Sequence, residues 1–463
     1  MVRRVTTVRP AAWSALLAVT VAGTALVWHL LACVESPMAF SPDGRQLAFV
    51  TLEPYEADHD DLTAGAYAFR LLAIDKDGQL RTIEQTTTHM LTAPVYTPDG
   101  KSLCYLRAPM LTAELREQVE KHVEQNDQAL QGIKDFVWPP PYASDTPPAG
   151  PQDRAVPSLD CLLKNTDQLR ARPWVNCQLV VRDAASDAVR STIPVRLPIL
   201  SFEAGYLMAY VLLRPQFDPA GEWLYVCAGG AALAINPQSG EQRILSATAT
   251  VGSLAPDGKW LAVIDKELLG FVRTDGEVTV CRRWEKPPCL AGFGWFDANT
   301  LAVLSPESEK DAMTLDLIAP DGRVRRTVAL SLPAIGDAKD SGPMLAIAPD
   351  GQHLVVAVDS DAYFCQADGK VLHHLHVEGE HLAQPTFSPD SKRVALKHLA
   401  ESPIAGEPAG DASAAPSPAA TSASCSYTRT TEIIFFTPGG EELKRIAIPP
   451  IDPATTRPAG EEG

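Results

Sequence analysis

The sequence predicts an all-β fold: a seven-bladed β-propeller of four-stranded blades, preceded by an N-terminal transmembrane or signal helix and carrying one helical insertion. Three observations predict it. A short hairpin turning on Pro-Asp-Gly or a close variant occurs seven times, a second hairpin follows each, and uninterrupted pairs recur at about 40 residues, the spacing of a propeller blade.

The first element is the leader. Arg3, Arg4 and Arg9 precede 23 residues, Ala11 to Cys33, that carry no formal charge. That run is long enough to cross a bilayer as a helix, and the positive flank sets the N-terminus in the cytoplasm and residues 34 onward outside. Residues 1–33 are therefore read as a membrane anchor or a lipoprotein-type signal. "LLAC", Leu30 to Cys33, resembles a bacterial lipoprotein cleavage site at which Cys33 would be lipidated.

The propeller is expected over 34–448. Its first hairpins read "MAFSPDGRQLAFV" at 38, "PVYTPDGKSLCYL" at 94, "PQFDPAGEWLYVC" at 215, "GSLAPDGKWLAVI" at 252, "FGWFDANTLAVL" at 293, "MLAIAPDGQHLVVAV" at 344 and "PTFSPDSKRVALK" at 385. Proline presets the turn, aspartate bonds the backbone ahead of it, and glycine tolerates the positive φ that the last turn position requires. Second hairpins such as "LLAIDKDGQLRTI" at 71 and "IIFFTPGGEELKRIAI" at 433 complete each unit. The blades fall at about 38–83, 94–193, 215–245, 252–283, 292–330, 344–375 and 385–448.

Extra sequence sits between second and third strands at 51–69, 107–176 and 398–431. Strands of a blade run antiparallel, so these insertions emerge on the face that also carries the connections between blades. Blades 7, 1 and 2 are neighbours in a closed ring, so the insertions are expected to form one crown on one side of that face. The leader enters there through residues 34–37, which reach at most ~14 Å. Within the second insertion Leu111, Leu115, Val119, Leu130, Ile133 and Val137 predict an amphipathic helix over 112–136 capped by Thr112. "VWPPPYASDTPPAGPQ" is polyproline-prone, and 401–424 and the tail at 449–463 read as disordered.

The repeat Phe-Ser-Pro-Asp-Gly-x-x-Leu-Ala-Phe resembles the WD40-like, TolB-type propeller repeat of bacteria, also met in the propellers of prolyl-oligopeptidase relatives. The resemblance covers residues 38 to about 448 and implies the fold, its motif being specific for fold and poor for function. TolB-type proteins carry a separate domain before the propeller, whereas here the first repeat follows the leader directly.

The formal charge is −17, and −20 once the three leader arginines are set aside. Such a surface repels nucleic acid and anionic lipid headgroups, so no nucleic-acid partner is expected. Of the nine cysteines, Cys104, Cys227 and Cys365 fall in strand patterns as small buried hydrophobes, while Cys161 with Cys177 and Cys281 with Cys289 are close enough in sequence to pair. No Cys-x-x-Cys, nucleophile elbow, phosphate loop or dinucleotide fingerprint is present, and no catalytic or cofactor-binding residue is assigned.

Two local clusters were weighed as metal sites. "HHLHVEGEH" places His374 and His376 on one face of an outermost strand, beside His373, Glu378, Glu380 and His381, and reads by default as a solvated edge. "EADHDD", Glu56 to Asp61, lacks the spacing and glycine of a calcium loop. No metal or cofactor is assigned. The expected function is a membrane-tethered, extracytoplasmic, non-enzymatic module that binds a protein or envelope component. The alternative is a hydrolase or lyase with its site in the central channel.

Overall fold

The computed structural model describes residues 37–54, 67–110, 117, 174–198, 213–228, 230–246, 251–265, 268–275, 278–283, 292–306, 313–330, 332, 343–377, 380–403 and 427–450. The leader, nearly all of the expected 112–136 helix, the acidic run at 56–61 and the 451–463 tail lie outside these residues. No described helix is long and apolar enough to cross a membrane.

Seven antiparallel sheets follow one another along the chain, and they form a seven-bladed propeller with four strand positions per blade. Among the described residues each sheet is built from one contiguous segment, and no strand is exchanged between the chain ends to close the ring. Blade 2 differs in its innermost position, where two pieces, His89–Leu91 and Val95–Tyr96, both pair with Ser102–Pro109. Pro94 cannot donate to the ladder there. The buried Thr92 bridges the gap, its hydroxyl accepting the Leu106 amide at 3.0 Å.

The turn joining the first two strands explains the repeated motif. In blade 1 the Gly44 amide donates to the Ser41 carbonyl, while Asp43 Oδ1 accepts the Arg45 amide at 3.0 Å and the Ser41 hydroxyl at 2.6 Å. These bonds hold the Asp43 carboxyl below its ordinary pKa, and the same arrangement lowers Asp99 and Asp390. The glycine has a second duty, because each turn leans on its neighbour. A methyl group at Gly258 (φ +73°) would lie 2.5 Å from Pro219 of blade 3, whereas at Gly100 (φ +70°) it would lie 3.6 Å from Pro42 of blade 1. In blade 7 Ser391 takes the glycine's place at φ 58°, and its hydroxyl accepts the Asp350 amide of blade 6 at 3.0 Å. The departure from Gly thus ties two turns together.

Apolar clusters fill the gaps between successive blades. One serves blades 1, 2 and 3, others the gaps 3/4, 4/5, 5/6 and 6/7, and Met38, Leu47, Phe49, Leu72 and Ile74 pack on Ala395, Ile433, Phe435, Ile446 and Ile448 at the 7/1 seam. Cations reinforce that seam by donating to backbone carbonyls. Lys397 Nζ, fully buried, reaches the Val50 oxygen at 3.0 Å; Arg70 reaches Pro449 at 2.8 Å; Arg393 and Lys444 reach Gly44 and Asp77. Lys397 also stands over the Phe49 ring and Arg393 over Phe40.

Candidate functional site

The ladder between second and third strands has five pairs in blade 3 and six in each of blades 4, 5 and 6. It has nine in blade 1 and ten in blade 7. In blade 2 this ladder has six pairs, but the strands themselves run on to eight and ten residues, Ala108 and Pro109 pairing with the innermost strand and Trp174 to Cys177 with the outermost. All these strands begin just after the turn face, so the added length projects from the opposite face, by about 10–14 Å at 3.4 Å per residue for blades 1 and 7. Blades 7, 1 and 2 therefore raise a wall along one side of that face. Its strands leave at Pro54, Pro109 and Pro403 and return at Tyr67, Trp174 and Tyr427. Sequence reading put the insertions at 51–69, 107–176 and 398–431; the strands run several residues into each. Stretches such as Thr428 to Thr430 opposite Ala400 to Ser402 carry no apolar alternation, because a ladder rising clear of the ring has little core to face.

The chain enters blade 1 at the wall face and leaves blade 7 there, where Arg70 bonds Pro449. Arg70 also pairs with Glu53, one position from the Tyr67 end of the same ladder.

Within the ring, the innermost strands run from two to eight residues and carry the polar residues His89, Gln216, Ser253, His381, Gln384 and Thr386. Among the described residues their carboxylates are Asp297 and Glu380. The polar link described across the channel joins Arg214, at the start of blade 3, to Gln384 of blade 7, with Nη2 donating to Oε1 at 3.3 Å. Gln384 is buried, has φ 53° before Pro385, and donates its amide to Met344 Sδ of blade 6 at 3.2 Å. Sequence reading missed both residues. The signal available was an arginine between Leu213 and Pro215 in an otherwise apolar run.

The carboxylates with strong partners are structural. Burial works to raise Glu84 in the outermost strand of blade 1, but hydrogen bonds from Arg107, Tyr105 and Arg182 of blade 2 outweigh it and leave its pKa below the ordinary value. The Arg107 fork is bidentate, at 2.6 and 2.8 Å, and Arg182 closes at 2.7 Å. Burial likewise opposes, and bonds from His398 and Arg445 overcome, the shift at Glu432. Such saturated groups join elements and have no capacity left for acid–base work.

Of the histidine cluster, His373, His374 and His376 lie on the outermost strand of blade 6 as expected, whereas Glu380 and His381 begin the innermost strand of blade 7 and Glu378 lies outside the described residues. His374 Nε2 and His376 Nδ1 both bond Asp361 Oδ1, at 2.6 and 2.9 Å, and His374 stacks on Tyr363 with ring centroids 4.5 Å apart. His373 faces the other way, tilted against Phe364 and close to Gly440 of blade 7. Among the described residues no group of three or more His, Cys, Asp or Glu is arranged to hold a metal ion. Cys104 and Cys365 are buried thiols and Cys227 partly so; burial pushes all three up to about 12, which keeps them protonated and inert. The suggested pairings of Cys177 and Cys281 involve Cys161 and Cys289, outside the described residues.

No family model matches the chain, and no curated protein matches it. Among solved structures, hydrazine synthase of Kuenenia stuttgartiensis is 20% identical with TM-score 0.37, over 51% of this chain and 65% of that one. A chain of the mitotic checkpoint complex is 10% identical with TM-score 0.44, over 78% and 86%. A prolyl endopeptidase is 11% identical with TM-score 0.45, over 93% of this chain and 53% of that one. This chain thus spans about two thirds of the first and about half of the third. At these values the likenesses carry no argument about activity or partners.

Proposed function

We propose that this chain is a binding module of the bacterial cell envelope, held at the membrane by residues 1–33 with its propeller on the extracytoplasmic side. Its partner is a protein or an envelope component, taken on the wall face of blades 7, 1 and 2. The observation that carries the reading is convergence: three adjacent blades lengthen toward the face where the chain enters and leaves. Residues at the three returning strand tips, Tyr67, Trp174 and Tyr427, are of the types enriched in protein interfaces. The scarcity of acids on the innermost strands, Asp297 and Glu380 among the described residues, favours binding over channel catalysis.

The tether is tested by fractionating cells that express the full chain and measuring its intact mass. Recovery in the membrane fraction with residues 1–33 retained, or with a lipidated Cys33 as first residue, supports the proposal. A soluble chain trimmed beyond Cys33 contradicts it.

A further inference from the structure

Arg214 has the electrostatic setting of half an ion pair. Blades 3 and 7 are not neighbours, so its bond to Gln384 spans the central channel. Gln384 is a neutral amide, and 3.3 Å is long for a guanidinium bond. Other cations of comparable enclosure have closer partners: Arg107 and Arg182 share Glu84, and Arg70 takes Glu53 and the Pro449 oxygen. Desolvation alone acts on Arg214 and pulls its pKa below the ordinary arginine value, with no opposing charge to offset it. Yet the residue is only partly shielded from solvent, which is what a group deep in an open channel shows. An enclosed, uncompensated cation is costly, and an anion that neutralises it recovers that cost.

The far wall is shaped as well. Gln384 holds a left-handed φ of 53°, unfavourable for a side-chain-bearing residue, and its amide N–H is spent on Met344. That conformation aims the side-chain amide at the guanidinium. Backbone strain of this kind persists where the surroundings enforce it, often at ligand sites.

We infer that the channel at Arg214, beside Gln384, binds a carboxylate, which takes the guanidinium fork in bidentate fashion. One guanidinium balances one negative charge, and a chain of net −17 disfavours polyvalent anions such as phosphate esters. The carboxylate comes from a small organic acid or from a C-terminus of the proposed partner; only the second source rests on the binding reading above.

The test is ligand-observed saturation-transfer NMR on the full chain. Probes are propionate, a tetra-alanine peptide with a free C-terminus, and the same peptide amidated. Saturable binding of at least one free carboxylate is expected, with none by the amidated peptide. A peptide at least tenfold tighter than propionate assigns the partner source, and equal affinities assign the free acid. Arg214→Gln is expected to weaken binding at least tenfold, Gln384→Ala severalfold, and Arg243→Gln, on the exposed outer strand of blade 3, less than twofold. Arg214→Lys keeps the charge without the fork and is expected to fall between wild type and Arg214→Gln. Circular dichroism matching wild type qualifies each variant. Absence of saturable binding by either free carboxylate, or affinity unchanged in folded Arg214→Gln and Gln384→Ala, overturns the inference. Neither result touches the tether or the wall face, which are measured separately.

Discussion

Blades 7, 1 and 2 and blades 3 to 6 are the same repeat put to two uses. In blades 3 to 6 the middle ladder stops at five or six pairs, and the junctions combine apolar clusters with single bonds such as Trp295 Nε1 to the Ser253 carbonyl at 2.8 Å. In blades 7 and 1 the ladders run on, in blade 2 the individual strands do, and charged side chains cross both junctions: Lys397, Arg393, Lys444 and Arg70 at 7/1, and Glu84 with Arg107 and Arg182 at 1/2. A ring with no shared strand must close through side chains, and the long strands give those side chains more length over which to act. The difference teaches that the sector carrying the insertions is also the most heavily braced.

The largest effect should come from removing Glu84. Glu84→Gln leaves Arg107 and Arg182 without their carboxylate, and a loss of about 3–5 kcal/mol in urea unfolding is expected. Because the folded carboxyl titrates below its ordinary value of 4.5, its contribution is complete above that pH and is lost as pH falls through the lower folded value. The wild type should therefore lose more stability in acid than Glu84→Gln does. Next comes the seam: Lys397→Met keeps the volume but orphans the buried Val50 carbonyl, costing about 1–3 kcal/mol. The turn face gives a sharper pair. Gly258→Ala meets the Pro219 ring in addition to its backbone strain and should cost about 2 kcal/mol, while Gly100→Ala has room and should cost about 1 kcal/mol, measured by thermal unfolding. Equal losses would mean that the turns do not interlock. Smallest is Asp361→Asn on the rim of blade 6, where the two histidines are exposed and less than about 1 kcal/mol is expected.

The turn face was legible in the sequence because its chemistry is local. Ser41 to Gln46 close a turn through their own hydrogen bonds, so seven copies announce seven blades. The wall face was legible only in part. Topology fixed where the insertions leave, but Glu401 to Pro403 opposite Tyr427 to Arg429 pair without a hydrophobic alternation to reveal them. The repeat places the start of blade 2 at residue 94 and misses the earlier inner piece, His89–Leu91, set apart from Val95–Tyr96 by Thr92 to Pro94. Arg214 and Gln384 lie 170 residues apart and meet only because the ring closes, so no local motif marks them. The histidine run, conspicuous in sequence, proved to be two rings sharing Asp361 and a third facing the next blade.

The central claim is that the wall face, and not the turn face, meets the partner. Thr430 is exposed on the wall of blade 7, and Lys392 is exposed in the turn of the same blade. A photoreactive amino acid placed at each position in the full chain, irradiated in intact cells, compares the two faces directly. The account predicts a discrete adduct from position 430 and none from 392. Adducts from 392 alone, or equally from both, would contradict it.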